Sequence, residues 1–298
     1  EIRLTGDFFD ACYDAAREFA AAEGALMTPP FDHDDIIEGQ ASVAAEIAAQ
    51  LPDGEAPDLI VLPVGGGGLS AGIARYLEGR VDTDNFLLVE PAGAPSLKES
   101  LRAGHRVKLG RIDNFVDGAA VAEIGERNFE ILKRFRPEQV MTVPENAICL
   151  TMTRILNTEG IVLEPAGALS ISALEAMGPD HLAGKTVVAV VSGGNFDFER
   201  LPDVKERAMR YAGTKKYFIL RLPQRPGALR DLLSLLGPED DIARFEYLKK
   251  SARNFGSILI GIETGSPDNF LRLVEAFDRA GLSYQDITDN EIISNLVI

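Results

Sequence analysis

A chain of 298 residues is long enough to form about two domains and to bury a large core. Its composition, 46% hydrophobic and 26% charged, is that of an ordinary soluble protein. The formal charge of −16 would repel nucleic acids and anionic membranes, so neither is an expected partner. No apolar run reaches the roughly 18 residues that a membrane helix needs. The expected partners are therefore small molecules or other subunits.

The cysteines and histidines indicate a reduced, metal-free protein. Cys12 and Cys149 both lie in helical patterns, which predicts buried thiols and a cytoplasmic location rather than a disulfide. The three histidines, His33, His105 and His181, never stand at the spacing of metal ligands. We therefore expect no structural metal site.

The chain opens with a pattern that predicts a strand, a helix and a second strand. Ile2 to Leu4 and Ala25 to Thr28 are the predicted strands. Between them, Asp7 is a predicted cap for a helix with an apolar side that comprises Phe8, Cys12, Ala15, Phe19 and Ala22. Because this βαβ piece has no visible beginning and Glu1 is not a methionine, we expect the chain to be a fragment.

A run of four glycines is the most informative feature of the sequence. Leu59 to Val64 is apolar and predicts a strand that is buried on both faces. Gly65 to Gly68, called the glycine loop below, follow at once, and Leu69 to Leu77 has a helical pattern. Free backbone N–H groups at a helix N-terminus, without Cβ atoms in the way, form a site for an anion such as phosphate.

Three interpretations of the glycine loop are compatible with the sequence. A tight strand-to-helix turn would need only one or two glycines. A dinucleotide site is indicated by Gly66, Gly68 and Ala71, which fit G-x-G-x-x-A, and by Glu90, 22 residues after Gly68, near the roughly 20 expected of a ribose ligand. A phosphate site for a cofactor such as pyridoxal phosphate would need a second element that holds the ring.

A second apolar strand supplies that element. Lys185 to Val191 is predicted to be buried on both sides, and it ends at Ser192-Gly193-Gly194-Asn195, called the serine turn below. A serine at the carboxyl end of a buried strand can offer its hydroxyl to an unprotonated pyridine nitrogen. It can equally cap a helix. Strands and helices alternate from one loop to the other, which predicts an α/β fold with a mainly parallel sheet.

The order of elements changes after a short polar hinge at residues 213–216. Two predicted helices, Ala228 to Leu236 and Asp268 to Ala280, alternate there with four predicted strands, Tyr217 to Leu222, Ile242 to Lys249, Ser257 to Glu263 and Ser283 to Ile287. The resulting order, βαββαβ, is that of a small ferredoxin-like module. The tail is therefore predicted to be a separate domain.

Taken together, these motifs resemble those of one enzyme family. With Gly39-Gln40, the glycine loop, Glu164-Pro-Ala-Gly167 and the serine turn, the chain resembles the fold-type-II pyridoxal-phosphate enzymes, and more closely the biosynthetic threonine dehydratases. The tail, through Tyr217 to Arg230 and Phe245 to Lys250, is similar to that family's ACT-like regulatory module. The resemblance implies a tryptophan synthase β-like parallel sheet with helices on both faces, truncated at its N-terminal end, followed by an α+β domain.

The resemblance also implies roles for particular residues. Gly65, Gly66, Gly67, Gly68 and Leu69 would donate backbone N–H groups to the phosphate of pyridoxal phosphate, Ser192 would hold the ring nitrogen, and Glu164 would lie near the ring. The substrate would be L-threonine or L-serine. Isoleucine or valine would regulate the enzyme from a pocket that includes Arg225, Pro226, Gly227 and Ala228. The protein would be a homo-oligomer of two or four chains.

The implied domains are the end of a small catalytic subdomain (1–30), a large pyridoxal-phosphate domain (31–212), the hinge (213–216) and the ACT-like domain (217–298). Two departures from the family limit what the chain can do. The family's Schiff-base lysine lies in S-x-K-x-R-G-A upstream of the glycine loop, a motif that this chain lacks, and Lys98 and Lys108 are expected on the surface. We therefore predict that the chain alone is inactive.

The second departure concerns the divalent metal site of related racemases, which needs a carboxylate six residues after Glu90. Ser96 stands there, so no metal is expected. Two other functions stay open at this point. A nicotinamide oxidoreductase would use Glu90 on a ribose but leaves the serine turn unexplained. A non-catalytic amino-acid sensor would explain the absent lysine.

Overall fold

The computed structural model describes residues 2–6, 9–52, 55–248 and 255–290. The chain divides into two compact units, Glu1–Glu199 and Arg200–Ile298. This division precedes the predicted hinge at 213–216, and Lys215 and Lys216 begin a strand instead of forming a linker. Within the described residues, no helix combines the length and hydropathy that a membrane span requires.

The first unit is built on a parallel sheet, as predicted. Its four strands are β1 (Leu59–Pro63), β2 (Phe86–Pro91), β3 (Val140–Val143) and β4 (Val187–Ala189). They are all parallel in the order β3-β2-β1-β4, with Ile60 opposite Phe86 on one side and Val188 on the other. Because the chain returns through helices between parallel neighbours, the carboxyl ends of all four strands meet at one edge of the sheet.

Helices cover both faces of this sheet, which confirms the predicted layering. They are α1 (Phe9–Glu23), α2 (Asp34–Gln50), α3 (Gly68–Tyr76), α4 (Ser96–Ala103), α5 (Glu126–Leu132), α6 (Glu145–Glu159), α7 (Pro165–Met177) and α8 (Pro179–Leu182). On one face, Leu62 of β1 packs in a buried apolar cluster with Ile37 of α2 and Ile73 of α3. On the other face, the Ser170 hydroxyl of α7 donates a hydrogen bond to the Val61 carbonyl.

The structure corrects several expectations for the first unit. Ile2 to Leu4 and Ala25 to Thr28 form no strand, and Ile2, Leu4 and Leu26 are at least 90% exposed, because no described strand pairs with them. Asp7 and Phe8 lie outside the described residues. Cys12 is exposed, not buried, whereas Cys149 is buried as predicted.

Strand β4 and helix α5 are shorter than predicted. Strand β4 covers three residues and is only half-buried, because it is an edge strand in this sheet. The sequence predicts a helix from Glu123 to Phe135, whereas α5 covers only Glu126–Leu132. By contrast, the sequence predicts a short helix from Ser96 to Ala103, and α4 has these bounds.

The second unit has the predicted βαββαβ order, preceded by α9 (Leu201–Tyr211). Its elements are β5 (Lys215–Pro223), α10 (Ala228–Leu233), β6 (Asp241–Leu248), β7 (Phe255–Glu263), α11 (Asp268–Arg279) and β8 (Ser283–Asp286). The strands are antiparallel in the order β6-β7-β5-β8, which is the ferredoxin-like arrangement. Phe218, Ile260 and Phe277 form the centre of its core. The predicted end of β6, Lys249, lies outside the described residues.

Candidate functional site

The residues singled out in the sequence meet in one cavity of about 300 Å³ in the first unit. The glycine loop and Leu69 form one wall, while Ser192 and Glu164 lie on another. The loop follows the carboxyl end of β1 and the serine follows that of β4, its neighbour in the sheet. Ligands of open α/β sheets bind at this edge. Gly65 and Ser192 are 127 residues apart in the sequence, but they lie at the same edge of the sheet because β1 and β4 pair.

The glycine loop is closely packed against neighbouring residues. A Cβ atom at Gly66 would lie 2.4 Å from the Phe31 ring, and one at Gly65 would lie 2.8 Å from the Ala119 Cα atom. Gly67 has φ of 92°, a left-handed conformation that disfavours other residues, and is the N-cap of α3. Among the described residues, no side chain caps α3, so its first N–H groups are available to an anion in the cavity.

The serine turn is held by backbone contacts with the start of α7. The Glu164 N–H donates to the Gly193 carbonyl at 3.2 Å. A Cβ atom at Gly167 would lie only 2.1 Å from that same oxygen, so the turn and the helix are in direct contact. Ser192 itself is exposed although it lines the cavity. The turn therefore presents the serine while its backbone is fixed.

The Glu164 carboxyl lies between the serine turn and Gly118. It accepts a hydrogen bond from the Asn195 N–H, and a Cβ atom at Gly193 would lie 2.3 Å from its Oε1. Burial raises the pKa of Glu164, the Asp117 carboxylate raises it further, and the Asn195 N–H opposes both. Glu164 can thus exchange a proton closer to neutral pH than an exposed glutamate.

Glu90 does not belong to the cavity. It is fully buried, and its carboxylate accepts the N–H groups of Leu97 at 2.7 Å and Lys98 at 2.9 Å at the start of α4. Ser96 lies beside it, with 3.5 Å between Oγ and Oε1. A carboxylate used as a helix cap cannot bind a ribose, which argues against the dinucleotide interpretation. Among the described residues, no group of three His, Cys, Asp or Glu is placed to hold a metal.

Glu90 should make the protein less stable as pH rises. Burial raises its pKa from 4.5 to about 7, although the Leu97 and Lys98 N–H groups act in the opposite direction. Since the folded state then binds the proton more tightly than the unfolded state, stability should fall by about 3 kcal/mol between pH 4.5 and 7. In Glu90→Gln this part of the fall should disappear, which urea unfolding at pH 5 and pH 7.5 measures. Glu99→Gln, on the exposed side of the same helix, is the control. An equal reduction of the pH dependence of stability in Glu99→Gln would contradict the assignment of this dependence to Glu90.

The structure adds residues that the sequence did not single out. Phe31, Gly118, Ala119 and Ala166 line the cavity, as does Gln40, which the family motif contained. Phe31 and Ala119 contact the glycine loop through tertiary packing, which leaves no pattern in the sequence. Neither Lys98 nor Lys108 lines the cavity. Lys108 is exposed as predicted, whereas Lys98 is half-buried.

The predicted regulatory residues line a cavity of about 630 Å³ within the second unit. Arg225, Pro226, Gly227 and Ala228 form one side of it, and Leu233 and Tyr247 contribute apolar surface. The Arg225 guanidinium donates to Asp231 at 2.7 Å. The cavity therefore combines two cationic side chains, Arg225 and Arg230, with an apolar wall, a set suited to a small amino acid.

Comparison with known families agrees with both units. Residues 1–193 match the family model "Pyridoxal-phosphate dependent enzyme". Residues 206–297 match "C-terminal regulatory domain of Threonine dehydratase". Each model thus covers one of the two compact units almost entirely.

Individual proteins similar to the chain are named threonine dehydratases or threonine deaminases. The biosynthetic L-threonine dehydratase of Halalkalibacterium halodurans is 42% identical over all of this chain and 71% of its own length, and that of Bacillus subtilis is 42% identical over 70% of its length. A solved threonine deaminase of Solanum lycopersicum has a TM-score of 0.62 and 35% identity over 69% of this chain. A second solved threonine deaminase, from T.th., has a TM-score of 0.58 and 32% identity over 66% of this chain.

The chain spans 59% and 64% of those two solved chains, under two thirds of either. The two family models and the identity over the full chain nonetheless agree with the cavity of the first unit and the βαββαβ order of the second. The chain therefore belongs to the pyridoxal-phosphate-dependent enzymes and, among them, to the family of the biosynthetic threonine dehydratases.

Proposed function

We propose that this protein uses pyridoxal phosphate to convert L-threonine to 2-oxobutanoate and ammonia, the first step of isoleucine biosynthesis. The observation that carries the proposal is the single cavity lined by both the glycine loop and Ser192. L-Serine, which would lose the same elements of water and ammonia, is the second candidate substrate. A homo-oligomer of two or four chains in the cytoplasm is part of the proposal.

The residues of the cavity fit this cofactor. Unshielded N–H groups of Gly65 to Leu69 suit a phosphate, since a side chain at Gly65 or Gly66 would collide with neighbouring atoms. On the other wall, the neutral Ser192 hydroxyl can donate a hydrogen bond to a pyridine nitrogen. Glu164 stands beside the serine turn, where its raised pKa suits a group that shares a proton.

Ser192 would determine the type of reaction. When bound, pyridoxal phosphate withdraws electrons from the α-carbon of an amino acid. A hydroxyl is too weak an acid to protonate the ring nitrogen, whereas a carboxylate partner would stabilise its protonated form. The serine thus moderates the electron withdrawal, which favours loss of the β-hydroxyl over transamination. The glycine loop and Leu69 would contribute orientation, because their N–H groups would bind the phosphate end of the cofactor.

The proposal assigns no Schiff-base lysine to these 298 residues. Neither Lys98 nor Lys108 lines the cavity. The chain by itself is therefore expected to bind the cofactor reversibly and not to turn threonine over. A non-catalytic sensor of amino acids is the second candidate function, and the absent lysine motif favours it.

We also propose that isoleucine or valine regulates the enzyme through the second unit. The cavity beside Arg225 to Ala228 supports this, because a guanidinium can bind a carboxylate while Leu233 and Tyr247 contact a branched side chain. The match to a regulatory domain supports it as well.

One titration series tests both parts of the proposal. The chain should bind pyridoxal phosphate at least tenfold more tightly than pyridoxal, followed by cofactor absorbance, and isoleucine should release heat in calorimetry. Arg225→Ala should abolish that heat without changing cofactor affinity. Equal binding of pyridoxal and its phosphate would refute the phosphate site.

Borohydride reduction that leaves a pyridoxyl-lysine within this chain, together with threonine turnover, would overturn the predicted inactivity.

A further inference from the structure

Asn128 lies outside the cavity lining but contacts the glycine loop from behind. It is fully buried on α5, 62 residues from Gly66 in the sequence. Its Nδ2 donates to the Gly66 carbonyl at 2.7 Å and to the Phe31 carbonyl at 3.2 Å. The Gly125 N–H donates to the same Gly66 oxygen at 3.1 Å. The loop carbonyl is therefore held by two donors from the start of α5.

These bonds determine the direction of a neighbouring N–H group. In a trans peptide, which is the form of every described peptide bond, the carbonyl of one residue and the N–H of the next point in opposite directions. Neither Asn128 nor Gly125 lines the cavity, whereas Gly66 and Gly67 do. A Gly66 carbonyl directed at Asn128 therefore turns the Gly67 N–H towards the cavity.

The side-chain amide of Asn128 is unfavourable for stability in one respect. Among the described residues, Asn128 Oδ1 has no hydrogen-bond partner although it is buried. An unsatisfied buried acceptor is unfavourable, so a purely apolar side chain would suit this position better if packing were its only role. The reverse orientation of the amide would place Oδ1 against the two carbonyl oxygens. The donor function of Nδ2 accounts for the asparagine.

We infer that Asn128 is a positioning residue that aims the Gly67 N–H at the cofactor phosphate. The inference depends on the proposed function of the cavity, and it assigns to Asn128 no contact with the cofactor. The neighbouring segment supports the same geometry: Asp32 accepts the N–H groups of Glu126 and Arg127 at 2.9 Å each and so fixes the start of α5 beside Phe31.

Asn128→Asp tests the inference, because it keeps the shape of the side chain and removes both N–H donors. The ratio of the Kd for pyridoxal to the Kd for pyridoxal phosphate should fall at least tenfold, while the Kd for pyridoxal itself changes less than twofold. A merely structural role would weaken both ligands alike, and Asn128→Ala, which adds no negative charge to repel the phosphate, should lower the ratio as well. If Asn128→Asp does not fold, as judged by circular dichroism, Asn128→Ala replaces it and is evaluated by the same ratio.

Gln139→Glu is the matched control. Gln139 is also a buried amide that donates to two main-chain carbonyls, those of Thr83 at 2.7 Å and Phe86 at 3.3 Å, but at the opposite end of β2. Gln139→Glu should lower the melting temperature and leave the ratio of the two Kd values unchanged. A ratio in Asn128→Asp within twofold of wild type would overturn the inference while the proposed function stands. No preference for the phosphate in the wild-type chain would overturn both.

Discussion

Replacing Gly167 with alanine should weaken the binding of pyridoxal phosphate by about 10- to 100-fold. The added methyl group would lie 2.1 Å from the Gly193 carbonyl oxygen, and 3.1 Å from the carbon and nitrogen of the same residue. These are backbone atoms, so they can yield only if the serine turn moves as a whole. Ser192 would then be displaced from the cavity wall that it shares with Glu164. Overpacking of this kind should also cost about 1–3 kcal/mol of stability.

Gly39→Ala is the control for this prediction. Gly39 lies in α2 without a positive φ, and, apart from its chain neighbours and the backbone of its own helix, no described atom lies within 4 Å of the position that the alanine methyl group would take. Alanine should therefore raise stability by about 0.5–1 kcal/mol. Its cofactor affinity should equal that of wild type. Absorbance titration gives the two affinities, and thermal unfolding gives the stabilities. An unchanged affinity in Gly167→Ala would show that the serine turn does not depend on this contact.

The second large effect is expected at Lys215, at the start of β5. Its ammonium lies 2.5 Å from Glu206 of α9 and 2.8 Å from Glu263, its partner across β7, and the residue is only 8% exposed. Burial acts to lower the pKa of Lys215, but the hydrogen bonds to both glutamates outweigh burial and raise the pKa. Lys215→Met would leave two carboxylates close together without a cation. Removing one partner of a buried ion pair costs about 3–5 kcal/mol.

Urea unfolding, with hydrogen exchange of the β5 and β7 amides to localise the change, measures this loss. Lys216→Met is the matched control, because Lys216 is the next residue of the same strand and pairs with Asp286 at 2.8 Å while half-exposed. That pair should contribute about 1 kcal/mol or less. Adding Glu206→Gln to Lys215→Met should restore part of the lost stability. Equal losses in Lys215→Met and Lys216→Met would contradict the role of the buried pair.

Most of the fold could be predicted because local patterns and tertiary packing agree. The apolar run from Leu59 to Val64 predicted β1 to within a residue. Prediction failed where tertiary contacts, and not the local pattern of residues, determine the structure. Ala25 to Thr28 has the composition of a strand but no described partner, and β4 is half-buried because it lies at the edge of the sheet. The composition of a segment does not show whether it lies at the edge of the sheet or between two other strands.

The same distinction applies to the site. The glycine loop and Ser192 were predictable because their chemistry depends on backbone conformation, which glycines and strand ends mark in the sequence. Phe31 and Asn128 contact the loop from positions 35 and 62 residues away from Gly66, and ordinary residue types make these contacts. Glu90 had the spacing of a ribose ligand, yet its carboxylate caps α4. Spacing alone does not distinguish these two uses of an acid.

The glycine loop, where we propose that the phosphate binds, presents main-chain amides, and Glu164 is the only lining residue with an ionisable side chain among those that the structure describes. A lysine or histidine in that wall would titrate and would attract many anions through its charge. Amides keep the same polarity from acid to alkaline solution. Anion capture at this wall should therefore follow the second ionisation of the phosphate ester itself, near pH 6, and be insensitive to substitutions of exposed charges elsewhere.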